Sequence, residues 1–272
     1  MAAPLLVLTD FSPAADQALA YAAALAAHLN TSLVLLHVRR TSWLDPETFS
    51  GKIPHLSEGE IAAALALRTA AVQVPVRVEV ASAQMMQATR EVIAHHQPQL
   101  LVVGKPDSEA IPDPLVHTTS LDLLRECRLP LLIVPVGSTA AVPPRAAVLS
   151  ADDYPVQLPA AIAALPRQLL APDAVLTLVH VVEPEESDSC ATAHTRMLQA
   201  GILTGFEQVR PRGVRHLEVA VGIREAAHDA QADLLLLLAR RRSVLGSLFH
   251  RSITADVIRH ATLPVLALPA TE

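Results

Sequence analysis

An internal repeat constrains the fold of this chain more than any other feature of its sequence. Leu-Pro-Leu at 129–131 matches Leu-Pro-Val at 263–265, and Pro135 matches Pro269, at a constant offset of 134 residues. Such a shared frame is typical of duplication. We therefore predict two copies of one unit, at 1–137 and 145–272, joined by a linker at 138–144.

The beginnings of the two copies also match. Asp10 and Asp152 each follow a short apolar run, and a His-Val pair lies in the second apolar run of each copy, at 37–38 and 180–181. After Asp10, Ser12 is a residue type that caps helices, so the pattern indicates a strand, a loop and a helix.

Apolar runs alternate with helical patterns along the first copy. Strands are predicted at 5–9, 32–38, 74–80, 100–103 and 131–134, and helices at 13–30, 58–71, 85–95 and 118–128. The apolar runs are unbroken rather than alternating, which favours parallel strands covered on both faces. The predicted fold class is α/β: two tandem, doubly wound, Rossmann-like domains, each a five-stranded parallel sheet with helices on both faces.

Composition limits the partners that the chain can use. Its 272 residues carry a formal net charge of −6, which argues against a nucleic-acid binder that works by bulk positive charge. Its two cysteines are far apart, so a reducing compartment is the simpler interpretation. No apolar run approaches the roughly 20 residues of a membrane helix, and the N-terminus lacks a basic signal region. We expect a cytoplasmic protein without membrane or nucleic-acid partners.

The loops after the first and fourth strands of each copy are the expected ligand site. In an open parallel sheet, ligands bind beyond the carboxyl ends of the strands, where the strand order reverses. In the first copy these loops hold Thr9, Asp10 and residues 104–117, and in the second they hold Asp152 and residues 239–251.

These features together resemble one known family. Each copy has an Asp after its first strand, a His-Val pair in its second strand and a last helix that runs into Leu-Pro and an apolar strand. Only the first copy ends its fourth strand in Val-Val-Gly, at 102–104. In this the chain resembles the universal stress proteins in their tandem two-domain form, over nearly its whole length. The resemblance implies a role in stress response.

The resemblance also implies a test for ATP binding. Family members that bind ATP carry Gly, two residues, Gly, nine residues, then Gly and Ser or Thr. In the first copy this pattern falls on Gly104, Asp107, His117 and Thr118, so one glycine and the hydroxyl remain. In the second copy the corresponding residues are Leu238, Arg241, Arg251 and Ser252. The loss of glycines, and an Asp that would repel phosphate, predict a degenerate motif with weak or no ATP binding.

Two sets of residues are candidate ligand contacts. The nucleotide-binding candidates are Thr9, Asp10, Val38, Gly104, Thr118, Asp152 and Ser252. The anion-binding candidates are Arg240, Arg241, Arg242 and Arg251, whose guanidinium groups fit phosphate. Each set has a structural alternative: the aspartates can serve only to shape the strand-to-helix loops, and the arginines can be solvated or pair with acidic residues of the other copy.

Other polar residues are expected to have structural roles. His37 and His180 lie in apolar strands and are interpreted as core residues with hydrogen-bond partners. His95 and His96 end a helix, and no ligand set for a metal is predicted. Cys127 has arginines nearby that could favour its thiolate, but we take it as an ordinary, partly buried thiol.

No catalytic motif of a known type occurs in the chain, so no catalytic residue is named and an enzyme is not expected. The leading hypothesis is a non-catalytic tandem stress protein whose copies pair through their final strands, at 131–134 and 265–268. The alternatives are an ATP-binding stress sensor that uses the first copy, and an adenine-nucleotide hydrolase or transferase of related fold. No cofactor is assigned beyond a possible ATP in the first copy, and a homodimer is possible.

Overall fold

The computed structural model describes residues 2–39, 56–106, 122–187, 189–240 and 253–271. Ten strands are described: β1 (Leu5–Thr9), β2 (Leu33–Val38), β3 (Val76–Ala81), β4 (Leu100–Lys105), β5 (Leu131–Pro135), β6 (Ala146–Ser150), β7 (Val175–Val182), β8 (Gln208–Arg215), β9 (Leu234–Arg240) and β10 (Val265–Ala270). The helices described are α1 (Pro13–His28), α2 (Glu58–Ala70), α3 (Met85–His96), α4 (over 122–127), α5 (Ala160–Leu169), α6 (Ala191–Gln199), α7 (Val219–Asp229) and α8 (Ile253–His260).

All ten strands form one sheet, in the order β3-β2-β1-β4-β5-β10-β9-β6-β7-β8. Strands pair in parallel within each half, and the order reverses between β1 and β4 and again between β6 and β9. The predicted fold class is confirmed. The two five-stranded units are joined into a continuous sheet, because β5 and β10 pair antiparallel with Leu132 opposite Leu266.

The first helix of the first copy begins where its sequence indicates. Ser12 has an extended backbone, and its Oγ accepts a hydrogen bond from the N–H of Ala15, while Pro13 occupies the first turn. Asn30, the expected stop, has φ +50°, a conformation in which Asn is tolerated.

The corresponding helix of the second copy begins later than the similarity of residues 152–155 to residues 10–13 suggests. After β6, residues 151–159 contain no helix, and α5 starts at Ala160. Gln157 in this segment forms an antiparallel bridge to Thr271, just beyond β10, with N–H to O distances of 2.9 and 3.1 Å. The segment between β6 and α5 is therefore held by backbone hydrogen bonds to the residue that follows β10.

Apolar side chains cover both faces of the sheet in two layers. One layer includes Leu5, Leu35 and Leu236 and packs under α1, and the other includes Leu36 and Leu235. The unbroken strand runs are therefore buried on both faces, as parallel pairing requires.

A polar contact also crosses between the copies. Lys105 at the end of β4 is buried, and its Nζ donates to the carbonyl of Ala261, 2.8 Å away, just after α8. No helix in the described ranges has the length and apolar character needed to cross a bilayer.

Candidate functional site

The carboxyl ends of β1 and β4 form the switch point of the first copy, and those of β6 and β9 form the switch point of the second. We call these two places the first crevice and the second crevice. The structure brings Thr9, Asp10 and Gly104 to the first crevice, and Asp152 and Arg240 to the second.

Thr9 and Asp10 both bond to the loop that follows them. The Oγ1 of Thr9, which is buried, accepts from the N–H of Phe11 at 3.2 Å. The Oδ1 of Asp10, which is exposed, accepts from the N–H of Ser12 at 3.0 Å. These contacts are the local turn bonds expected of such side chains after a strand. They shape the entry to α1, and the exposed Asp10 carboxylate still borders the crevice.

Phe11 lies at the centre of a stack of side chains that the sequence did not single out. Its φ is +67°, which is uncommon for a bulky residue, and its ring stacks on His37 with centroids 4.3 Å apart. The guanidinium of Arg68 covers the ring at 4.8 Å from the centroid and donates to the Phe11 carbonyl at 2.9 Å. Asp16 fixes Arg68 through two hydrogen bonds, of 2.5 and 3.1 Å. The crevice wall beside β2 is therefore a packed structural unit.

His37 has the structural role predicted for it. It is buried, and its Nδ1 lies 2.9 Å from the carbonyl oxygen of Thr9. Since a carbonyl can only accept, Nδ1 donates here, which fixes the ring orientation. His180, its counterpart, is likewise buried, with Nδ1 3.2 Å from the carbonyl of Ser189. Val38 follows His37 at the end of β2 and is half-buried.

Gly104 lies against the backbone of α1. A Cβ at this position would be 2.2 Å from the carbonyl oxygen of Ala14 and 2.6 Å from the nitrogen of Ala15. Only a residue without a side chain allows the end of β4 to approach the first turn of α1 so closely. The glycine that the family resemblance assigns to a nucleotide motif therefore has a structural function, which is independent of any ligand.

Leu238 takes the place of Gly104 in the second copy. It pairs with Leu268 as Gly104 pairs with Val134, so the two residues occupy the same register position. Its side chain is half-buried in the layer that also contains Val156 and Leu158 of the 151–159 segment. The leucine fills the space into which a first helical turn would fit, which accounts for the late start of α5.

An ion pair crosses the second crevice. Arg240, at the end of β9, places Nη2 2.7 Å from Oδ1 of Asp152 and Nη1 2.9 Å from Oδ2. Nη2 also donates to the carbonyl of Tyr154 at 3.1 Å, and the guanidinium lies 5.9 Å from the centroid of the Tyr154 ring. The Arg240 side chain is 10 % exposed and that of Asp152 is 46 % exposed. The bidentate geometry is the strong form of a guanidinium–carboxylate contact.

This ion pair bears on the structural alternative for Arg240, and its role as an anion contact remains a prediction. The sequence left it as an anion contact, a solvated side chain or a partner for acidic residues of the other copy. Its acidic partner belongs to its own copy rather than to the other one, because Asp152 lies two residues after β6, the strand that pairs with β9. Asp152 also shapes its loop, since its Oδ1 accepts from the N–H of Tyr154 at 3.1 Å.

Several predicted site residues lie outside the described part of the chain. They are Thr118, Ser252, Arg241, Arg242 and Arg251, together with Asp107 and His117 of the degenerate motif. Their assignments remain predictions.

Cys127 is the ordinary, partly buried thiol that the sequence indicates. Burial raises the pKa of the Cys127 thiol, the charge of Arg90 opposes this rise, and the charge of Glu126 adds to it. The thiolate is therefore disfavoured. Within the described residues, no group of three or more His, Cys, Asp or Glu side chains is placed to hold a metal ion.

The comparisons with known proteins agree with this architecture. The model of the Universal stress protein family matches residues 1–135 and 147–269. A universal stress protein from Archaeoglobus fulgidus DSM 4304 aligns at 16 % identity and TM-score 0.69, covering 98 % of each chain. A functionally unknown protein from Pseudomonas aeruginosa PAO1 aligns at 17 % identity and TM-score 0.61, covering 98 % of this chain and 92 % of the other. At these identities the structures show a common fold alone. No curated protein matches the chain.

Proposed function

The chain belongs to the universal stress protein family in tandem form, and from this membership and the two crevices we propose that it is a non-catalytic stress-response protein with weak or no ATP binding. In this proposal both copies carry a degenerate nucleotide motif. The protein acts in a reducing, cytoplasmic setting, which its two free cysteines favour. It works through partners or a ligand other than ATP, as one structural unit made of two paired copies.

The Arg240–Asp152 ion pair is the observation that carries this proposal. It spans the switch point where a nucleotide would enter between β6 and β9, and it uses the carboxylate that the family resemblance assigns to nucleotide contact. A nucleotide in this place would have to separate a bidentate pair whose arginine is nearly buried. In addition, the second copy has Leu238 at the position of Gly104. In the second copy, side chains of the chain itself therefore contact each other where a nucleotide would bind.

The first crevice supports the proposal less directly. Gly104 remains, but its absent side chain already serves the packing of β4 against α1. Thr9, Asp10 and His37 all have partners within the chain. The sequence places Asp107 and His117 where two motif glycines would stand, so the loop has fewer positions at which backbone can wrap a phosphate.

A thermal-shift titration with ATP and Mg²⁺ tests the proposal. A site with a Kd of about 50 µM would stabilise the folded chain by about 2.7 kcal/mol at a hundredfold higher ATP concentration. We expect no saturable rise in Tm over that range. A nucleotide-binding protein of known Kd, in the same buffer, serves as the positive control.

Asp10→Ala and Asp152→Ala form a matched pair for interpreting a positive result. Saturable stabilisation that is lost in Asp10→Ala and kept in Asp152→Ala would replace the proposal with an ATP-binding stress sensor that uses the first copy. Release of phosphate or adenylate from ATP, abolished by Asp10→Ala, would instead indicate an adenine-nucleotide hydrolase or transferase. Native mass spectrometry of freshly purified chain would reveal a co-purifying nucleotide directly.

A further inference from the structure

The two outer strands of the sheet differ in how readily a strand of another molecule can pair with their free edges. β3 and β8 end the sheet on opposite sides, and no strand of the described residues pairs with their outer edges. Such edges carry backbone N–H and C=O groups that can bond to another chain. Proteins usually block them with proline, charge or a covering element.

The edge of β8 is blocked. The N–H of His216 donates to Val182 at 3.0 Å, so the backbone groups of even-numbered residues in β8 face β7 and those of odd-numbered residues face outward. Pro211 is one of the outward residues and has no N–H to offer. Arg210, Arg212 and Arg215 add like charges along the same strand.

The outward positions of β3 carry no proline, and no described strand covers this edge. Leu33 donates to the carbonyl of Pro75 at 2.9 Å, and Arg39 donates to the carbonyl of Ala81 at 2.8 Å. The odd-numbered residues of β3 therefore face β2, and the outward N–H and C=O groups belong to Val76, Val78 and Val80. These residues are β-branched, and the last two are 40 % and 46 % exposed. The strand is well suited to pairing.

The charges on β3 are self-complementary in one register. Arg77 and Glu79 flank Val78 and share one face of the strand. When two copies of β3 run antiparallel about Val78, each Arg77 lies opposite Glu79 of the other copy. In the same register Val78 pairs with Val78, and Val76 with Val80, through their outward backbone groups.

Neighbouring registers are unfavourable for a definite reason. A two-fold axis at residue 77 would place Arg77 opposite Arg77, and an axis at residue 79 would place Glu79 opposite Glu79. Axes at 76 or 80 shorten the paired segment. The sequence of this edge therefore favours pairing about Val78 over its alternatives.

We propose that two copies of this chain associate by antiparallel pairing of their β3 strands about Val78, which extends the sheet across a molecular two-fold axis. Arg77 is exposed and has no ion-pair partner among the described residues, so it is available to the other copy. Glu79 accepts from Nε2 of His96 at 2.8 Å while its side chain remains 36 % exposed. That contact orients the carboxylate at the edge. The inference is independent of the proposed function.

Sedimentation velocity of the full chain, over about 1 to 100 µM, tests this proposal. The expected result is a monomer–dimer equilibrium whose Kd rises at least about tenfold in Arg77→Glu, because two Glu–Glu contacts then replace two ion pairs. The double variant Arg77→Glu/Glu79→Arg reverses both charges and restores the dimer. Such a rescue could not come from a folding defect.

Two further variants complete the experiment. Val78→Pro removes an outward N–H without breaking a bond to β2, and it is expected to abolish association. Arg210→Glu, on the blocked edge of β8, is the control and leaves the Kd unchanged. A monomer at 100 µM would overturn the proposal, and so would a dimer that Arg77→Glu does not weaken or that the double variant does not restore.

Discussion

The two crevices lie at equivalent places in the two copies, and their described residues pack in different ways. In the first, Gly104 lets β4 touch the first turn of α1, and the helix begins directly after the short loop at 10–12. In the second, Leu238 occupies that space, the helix begins only at Ala160, and Arg240 bridges to Asp152. Within the same sheet topology, the described part of the first crevice shows close backbone packing, and that of the second shows an ion pair between side chains.

The difference shows that the fold itself requires glycine at position 104. The family resemblance assigns Gly104 to a nucleotide loop. In the structure, a Cβ at this position would lie only 2.2 Å from an atom of α1, so the packing of the helix requires glycine here. Its loss in the second copy coincides with the loss of the helical turns it would have touched. Variants in each crevice test whether these two packing arrangements stabilise the fold.

Gly104→Ala is expected to have the largest effect. The added methyl would overlap the Ala14 carbonyl, so α1 must move or lose its first turn, at a cost of about 3 kcal/mol in the free energy of unfolding. Urea unfolding measures this cost. Gly59→Ala is the matched control, because nothing lies within 4 Å of its Cβ, and it is expected to lose no stability. Equal stability of the Gly104→Ala variant and the native chain would show that the close approach is not required.

Arg240→Met tests the closure of the second crevice. The change leaves Asp152 without its guanidinium, and we expect a loss of about 1–2 kcal/mol, since Asp152 is half-exposed and regains water. The control is Arg212→Met, which breaks the exposed pair with Asp229 and should cost clearly less stability than Arg240→Met. If the two variants were equally stable in urea unfolding, the ion pair across the crevice would have no special role.

The repeat and the strand runs allowed the fold to be predicted almost completely. Unbroken apolar runs specify buried parallel strands, and the matched Leu-Pro segments specify two copies whose last strands, β5 and β10, pair. The late start of α5 could not be predicted, because the 152–155 segment resembles 10–13 while the cause, Leu238, lies far away in sequence. Helix boundaries of this kind depend on tertiary packing rather than on local signals.

The sites were less predictable than the fold. The contact of Arg240 with its own copy's Asp152 joins residues far apart in sequence, and a charge pattern does not show which carboxylate a guanidinium meets. The sequence analysis does not predict the stack of Phe11 with His37 and Arg68, which builds the crevice wall. The signal in the sequence was an aromatic residue between Asp10 and Ser12, two residue types that cap helices. A large apolar ring at such a place is expected to pack against neighbouring side chains.

The last helices of the two copies are held by ion pairs of different strength. In the first copy Arg90 of α3 pairs with Glu126 of α4, and both side chains are about half-exposed. In the second copy Asp256 of α8 is 20 % exposed and pairs with Arg224 and Arg259. Partial burial acts to raise the pKa of Asp256, but the hydrogen bond from Arg259 and the charges of His260 and Arg224 outweigh it and hold the pKa below its ordinary value.

The lowered pKa of Asp256 predicts that the Asp256→Asn variant loses stability in a pH-dependent way. A carboxylate whose pKa is lower in the folded state stabilises it fully above its unfolded pKa of about 3.9, and this contribution disappears as the pH falls through the folded pKa. We expect the variant to be less stable than the native chain by about 1–2 kcal/mol near pH 7, with the difference shrinking below about pH 4. Glu126→Gln, the control in the first copy, should change stability by about 0.5 kcal/mol or less. A difference that persists unchanged at acid pH would contradict the assignment.

Tyr21→Phe is expected to have the smallest effect, and of opposite sign. Tyr21 of α1 is buried, its hydroxyl has no hydrogen-bond partner among the described residues, and its pKa is raised strongly by burial and further by the charge of Asp233 from the other copy. Removing an unpaired buried hydroxyl should raise the free energy of unfolding by about 0.5–1 kcal/mol. The chain's other tyrosine, Tyr154 in the second crevice, is 63 % exposed, so Tyr154→Phe should leave stability unchanged. A loss of stability in Tyr21→Phe would contradict this expectation and show that the hydroxyl contributes to the contact between the copies, beside the hydrogen bonds of Lys105 and His28.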